Sequence, residues 1–137
     1  MKPAEARTAV EKLYTIVADR VGGTWKTDDG AADPCTLPSG KTGARYVLSR
    51  TGDGVPLASQ QAIVTDVVAA WGKAGYTATV QKLPEYKGIV VTEVRFQSKD
   101  VSLAAASLRF GIGTHGSDFT GITQCVPGDA DALDSAG

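Results

Sequence analysis

The chain has no asparagine, a single histidine and two cysteines among its 137 residues. One His and two Cys are too few for a zinc site built by one chain, which needs about four such ligands. A surplus of positive charge is missing as well: 14 Lys and Arg stand against 15 Asp and Glu, a net charge of −1. No two basic residues are adjacent. Phosphate neutralisation drives nucleic-acid binding, so neither nucleic acid nor an anionic membrane surface is an expected partner. No apolar run approaches the roughly 20 residues that span a bilayer. Met1-Lys2-Pro3-Ala4-Glu5 also lacks the apolar centre of a secretory signal. Either the protein is cytosolic, or a signal or lipid-anchor segment has been removed ahead of Met1. The lack of Asn beside abundant Ala, Gly, Val and Asp suggests a GC-rich genome.

What is present suffices for a core. The apolar share of 42% is that of an ordinary globular protein. One domain of this length buries roughly 68% of the surface its unfolded chain exposes. Residues 4–21 read as an amphipathic helix, with Ala6, Val10, Leu13, Val17 and Val21 on one face, Pro3 at its start and Gly22-Gly23 as its stop. Thr24 to Gly43 is rich in turn formers and reads as irregular. Ala44 to Ser49 alternates as a first strand, with Ala44, Tyr46 and Leu48 on one face. A second helix is expected from Pro56 or Ser59 to Ala74. Ile63, Val64, Val67, Val68 and Trp71 form its buried stripe, Gln60, Gln61, Asp66 and Lys73 face water, and Gly75 ends it.

The remainder reads as antiparallel sheet. Strands are expected at Tyr76–Lys82, at Ile89–Gln97 with Val90, Val94 and Phe96 inward, and at Val101–Ile112 with Ala104, Ala106 and Leu108 inward. A last short strand covers Phe119–Cys125, and Ala104-Ala105-Ala106 is compatible with helix as well as strand. The expected fold is α+β, a two-layer sandwich with two helices on one face of an antiparallel sheet of four to five strands. The domain is expected to occupy 1–126, with 127–137 as an acidic, frayed tail.

Cys35 precedes the first strand and Cys125 closes the last. If those strands are antiparallel neighbours, the two sulfurs lie within reach of each other. A bridge closing roughly 90 residues would add about 4–5 kcal/mol in the chain-entropy account and would imply an oxidising compartment. The other reading is two unrelated buried thiols, since free Cys behaves as a small hydrophobe.

Other motifs carry little chemistry. Gly111-Ile112-Gly113-Thr114-His115-Gly116 spells the dinucleotide fingerprint, but a strand-like segment follows where a phosphate-binding helix is required. Glycines in a hairpin turn account for it better. His115 has Ser117 and Asp118 close by, yet catalytic triads are assembled from distant segments. Asp28, Asp29 and Asp33 lack EF-hand spacing and read as turn caps. Trp71 belongs to the core. Trp25 and Tyr86, placed in loops, are the candidates for contact with a ligand or partner.

The order of these marks resembles the LppA-like lipoproteins of mycobacteria and related actinobacteria. They are an opening helix, Trp25, Asp33-Pro34-Cys35, a strand, Pro56, a second helix ending in Gly75, a β-meander and a closing Thr123-Gln124-Cys125-Val126-Pro127. Most of residues 4–127 takes part, as order and punctuation only. The resemblance implies export, an N-terminal lipid anchor on the outer membrane face and a disulfide between Cys35 and Cys125. The family has no assigned activity, so no residue beyond the cysteines inherits a role. The chain departs from it in showing no signal or lipid-modified cysteine at its start.

The expectation is therefore a non-enzymatic, extracytoplasmic binding or interaction domain of the cell envelope, anchored or secreted. It is expected to be monomeric, with no cofactor, no metal and no catalytic residue. Its partner would be an envelope protein or a small apolar ligand. One alternative is a carrier of a lipid or small apolar molecule, in a pocket that Ala104 and Ala106 leave between helices and sheet. A second is a hydrolase using His115.

Overall fold

The structure, a computed structural model, describes residues 1–130. Helix α1 runs over Pro3–Val21. The Lys2 N–H donates to the Glu5 carboxylate (3.4 Å), and Gly22 ends the helix at φ +71° while its N–H reaches the Ala18 carbonyl (2.8 Å). Helix α2 covers Leu57–Lys73. The strands are β1 Trp25–Thr27, β2 Asp33–Thr36, β3 Thr42–Arg45, β4 Val47–Gly52, β5 Thr79–Lys82, β6 Val91–Gln97, β7 Ala105–Gly113, β8 Ser117–Thr123 and β9 Val126–Pro127. Six of them form an antiparallel sheet in the order β1-β4-β8-β7-β6-β5, and three form a second sheet, β2-β3-β9.

Both helices pack on one face of the larger sheet. α1 approaches so closely at β8 that a Cβ on Gly121 would lie 2.4 Å from Val10 Cγ1. From α2, Trp71 meets the Phe119 ring at 6.3 Å and donates its Nε1–H to the Leu13 carbonyl of α1 (3.2 Å). Trp71, Phe110, Phe119, Leu48 and Leu108 fill the space between the layers with almost no exposure. The opposite face carries Glu93, Arg95, Arg109, Asp118 and Thr120, in register across β6, β7 and β8.

The α+β class, the two helices and the antiparallel sheet agree with the sequence reading. The strand number is larger than the expected four to five. Three short strands lie in or overlap the Thr24–Gly43 stretch read as irregular: β1 is held by β4 and β3 by β9, both far along the chain, while β2 pairs with β3 in a hairpin whose turn formers conceal it. The first strand, expected over Ala44–Ser49, is split at Tyr46 between the two sheets. The Tyr46 N–H turns to Thr123 Oγ1 (2.8 Å) and its carbonyl accepts from the Thr123 N–H (3.0 Å). Residues 105–113 are strand, with a register shift between Ala105 and Ser107 that leaves Ala106 only half-buried. Gln60 is buried, not solvent-facing, because its amide donates to the Val55 carbonyl (2.9 Å). Val90 precedes β6 and is exposed.

The segment after 126 begins folded. Pro127 pairs with Gly43, and Ala130 is buried with Ala32 and Ala44 in a small second cluster. The rest of the expected tail, 131–137, lies outside the described residues.

Candidate functional site

Cys35 and Cys125 form a disulfide, with Cα atoms 6.0 Å apart. Cys35 sits on β2, opposite Gly43 of β3, and Cys125 immediately precedes β9, which pairs with the other side of β3. The bridge thus crosses over β3 inside the small sheet. A Cβ on Gly43 would lie 2.8 Å from Cys125 Sγ, so the small residue there makes room for the crossing. The strands named at the sequence level are not those that bring the sulfurs together, but the pair is the expected one.

A second constellation stands near the β1 edge. Asp29 accepts from the Ser49 N–H (2.9 Å) and from Arg50 Nε (3.0 Å), and Arg7 of α1 stands 3.7 Å away. The Arg50 guanidinium lies over the Tyr14 ring (4.5 Å to its centre), and Arg7 lies over Tyr46 (5.0 Å). Burial alone would raise the Asp29 pKa. The Arg50 hydrogen bond, the Ser49 amide and the two arginine charges outweigh it and hold the carboxyl below its ordinary value. Arg50 is pushed up, first by its hydrogen bond to Asp29. With its donors satisfied this way, the group serves as a strap, tying α1 and the 28–32 segment to β4.

Trp25 and Tyr86, the two candidate contact residues, have different fates. Trp25 belongs to β1, half-buried, edge-on to Tyr14 at 5.5 Å, with its Nε1–H on the Gly22 carbonyl (3.1 Å). It is a packing residue. Tyr86 stands at the tip of the β5–β6 hairpin, bridged to Ile89, 68% exposed, with Lys87 Nζ over its ring.

His115 is exposed in the β7–β8 turn, 3.2 Å from Thr114 Oγ1. Ser117 donates to the Asp53 carbonyl (2.9 Å), while Asp118 accepts from Arg109 and from the Gly111 N–H. The three neighbours in sequence address three different sets of partners. No helix N-terminus follows the Gly111–Gly116 run, which is a strand end and turn. Among the described residues no group of three or more His, Cys, Asp or Glu is placed to hold a metal ion.

Two apolar hollows went unread in the sequence. One, about 610 Å³, is a groove on the flank of α1 where it meets the end of α2, lined by Ala4, Thr8, Ala9, Leu13, Ile16 and Tyr76 among others. The other lies between α2 and the edge strand β5, about 400 Å³ beside Val64, Val68 and Val80 and about 210 Å³ nearer Leu57 and Lys82. The space beneath the helices, where Ala104 and Ala106 were expected to leave room, is filled by the aromatic core. Ile16 and Leu57, apolar residues outside the buried stripes of their helices, were the available signal.

No family model matches the chain, and no curated protein does. Among solved structures it is similar to a DUF4853 family protein from Actinomyces odontolyticus, with 15% sequence identity and a TM-score of 0.56. The match covers 91% of this chain and 71% of that one. At that identity the likeness extends to the fold alone.

Proposed function

We propose that this chain is an extracytoplasmic, non-enzymatic binding domain of the cell envelope, of the LppA-like lipoprotein kind. The observation that carries the reading is the Cys35–Cys125 disulfide. Such bonds persist in oxidising compartments and are reduced by the thiol pools of a bacterial cytoplasm. No helix among the described residues is long and apolar enough to cross a membrane, and the reading assigns attachment to a lipid on a segment ahead of α1. Thiol blocking tests it. Host cells are quenched in acid, then alkylated before and after reduction. Both cysteines are expected to label only after reduction, in the envelope or medium fraction. Labelling before reduction, or recovery in the cytosol, removes the proposal.

A carrier of a lipid or small apolar molecule is the second reading, favoured by the α1 groove. Its volume of about 610 Å³ falls within the range of small-molecule sites. Native mass spectrometry after mild purification separates the two. A carrier retains a bound mass, and Ile16→Glu releases it; an interaction domain is recovered bare.

A further inference from the structure

The larger sheet is wider than the layer that covers it. Two helices at about 10 Å each cover about 20 Å, whereas six strands at about 4.8 Å occupy about 29 Å. α1 lies against β8, β4 and β7, and α2 against β7, so the uncovered part falls on the β5 side. Val80 shares the inner face with Val94 and Phe110, yet it is 50% exposed. Beside it runs the trough between α2 and β5. Its two parts share Gln61, Val64 and Val80 and are therefore continuous.

One wall of the trough is an open strand edge: among the described residues β5 has β6 on one side and no strand on the other. The Leu83 N–H bonds to the Val91 carbonyl (2.9 Å). Alternation along an antiparallel ladder then turns the Gln81 and Thr79 main-chain groups toward β6. The N–H and C=O of Val80 and Lys82 point the other way, outward, while their side chains face the trough. Free peptide groups beside an apolar trough are what an added strand uses: main-chain bonds hold it, and every second side chain enters the trough. Among the described residues Lys82 is the one charged side chain lining the trough, and it has no ion pair. The first turn of α2 beside it carries no acidic residue. A second copy of β5 would offer Val80 or Lys82 on this face, with Ala78 just ahead of it, and no counter-charge.

We propose that the trough receives an extended segment of another polypeptide, paired to β5 as a seventh strand. One apolar side chain rests against Val64, Val68 and Val80, and a carboxylate two residues along faces Lys82. The inference rests on the reading of the chain as an interaction domain and is independent of its compartment. A random octapeptide library, displayed against the folded, oxidised 137-residue protein, tests it. Selected peptides are expected to share an apolar-x-acidic pattern and to shift the Val80 and Lys82 amide resonances. N-methylating the peptide amide that bonds to β5 should weaken binding about tenfold. Lys82→Glu, an exposed change, should redirect selection toward basic residues at the acidic position, with circular dichroism confirming an unaltered fold.

The proposal is overturned if no peptides are enriched, if binding is indifferent to N-methylation and to Lys82→Glu, or if the shifts map to Ile16 and Tyr76 in the α1 groove. Self-association that Val80→Glu abolishes also overturns it, since the occupant would then be a second copy. Thiol blocking in cells reports the compartment separately, so either reading can fail without the other.

Discussion

At the β1 edge of the larger sheet, side chains close over the last strand. Trp25 leans on Gly52 and meets Tyr14 edge-on, and Asp29 joins Arg50 and Arg7 across the gap to α1. The small sheet and its disulfide continue from this side. Across four intervening strands, at the β5 edge, all four residues are exposed and an inward-pointing valine looks into an open trough. Sheet edges invite unwanted pairing, and shortness and a lysine are two ordinary defences. Here β5 relies on those, while β1 is covered by packing and an ion pair, and the disulfide lies beyond it in the small sheet. One edge of the sheet is closed by side chains, and the other is the edge to which the proposed strand would add.

That contrast breaks most completely if the bridge is removed. Cys35→Ala with Cys125→Ala, a closed loop of separation 90, should cost about 4–5 kcal/mol in the chain-entropy account, read as a lowered urea midpoint. Equal stability of the variant and wild type would show that the clasped side owes little to its clasp. Next comes Asp29→Asn, expected to cost about 2–3 kcal/mol at neutral pH because Arg50 is left half-satisfied in a largely buried place. Its pH dependence has a definite sign. The Asp29 pKa is depressed from 3.8 in the folded state, so its contribution is present above that value and lost as pH falls through the lowered one. The gap between wild type and variant should therefore narrow in acid, and a gap that widens there refutes the strap.

Smaller again is Gly52→Ala. Its new methyl would lie 2.6 Å from the Trp25 ring, and displacing that ring should cost about 1 kcal/mol in thermal unfolding. The smallest expected effect is on the open side. Val80→Thr should change stability by less than about 0.5 kcal/mol, and a larger loss would mean that this edge is structural after all.

The sequence was most legible where one periodicity decides the fate of an element. Ala6, Val10, Leu13 and Val17, and Val64, Val67 and Trp71, are buried as their spacing requires. The meander after α2 was likewise readable from alternation. What escaped depends on partners far along the chain. Tyr46 reads as a mid-strand residue until Thr123, 77 positions later, takes its N–H. Gln60 reads as polar surface until the Val55 carbonyl claims its amide. Trp25 looked like a free loop aromatic because the Tyr14 and Gly52 beneath it are not sequence neighbours. Of the candidate site, the cysteine pair was accessible from the sequence. The trough was not, since it follows from a mismatch in width between two layers.

The placement of the disulfide also sets how the molecule answers a pull. Everything from residue 35 to 125 is enclosed in one covalent ring, which includes α2 and every strand from β3 to β8. A chain stretched by its two ends can yield only what lies outside that ring, and about 300 Å of contour is withheld. α1 and β1 lie outside the ring, whereas α2, β5 and the trough between them lie inside it, where a pull on the ends cannot draw the chain out.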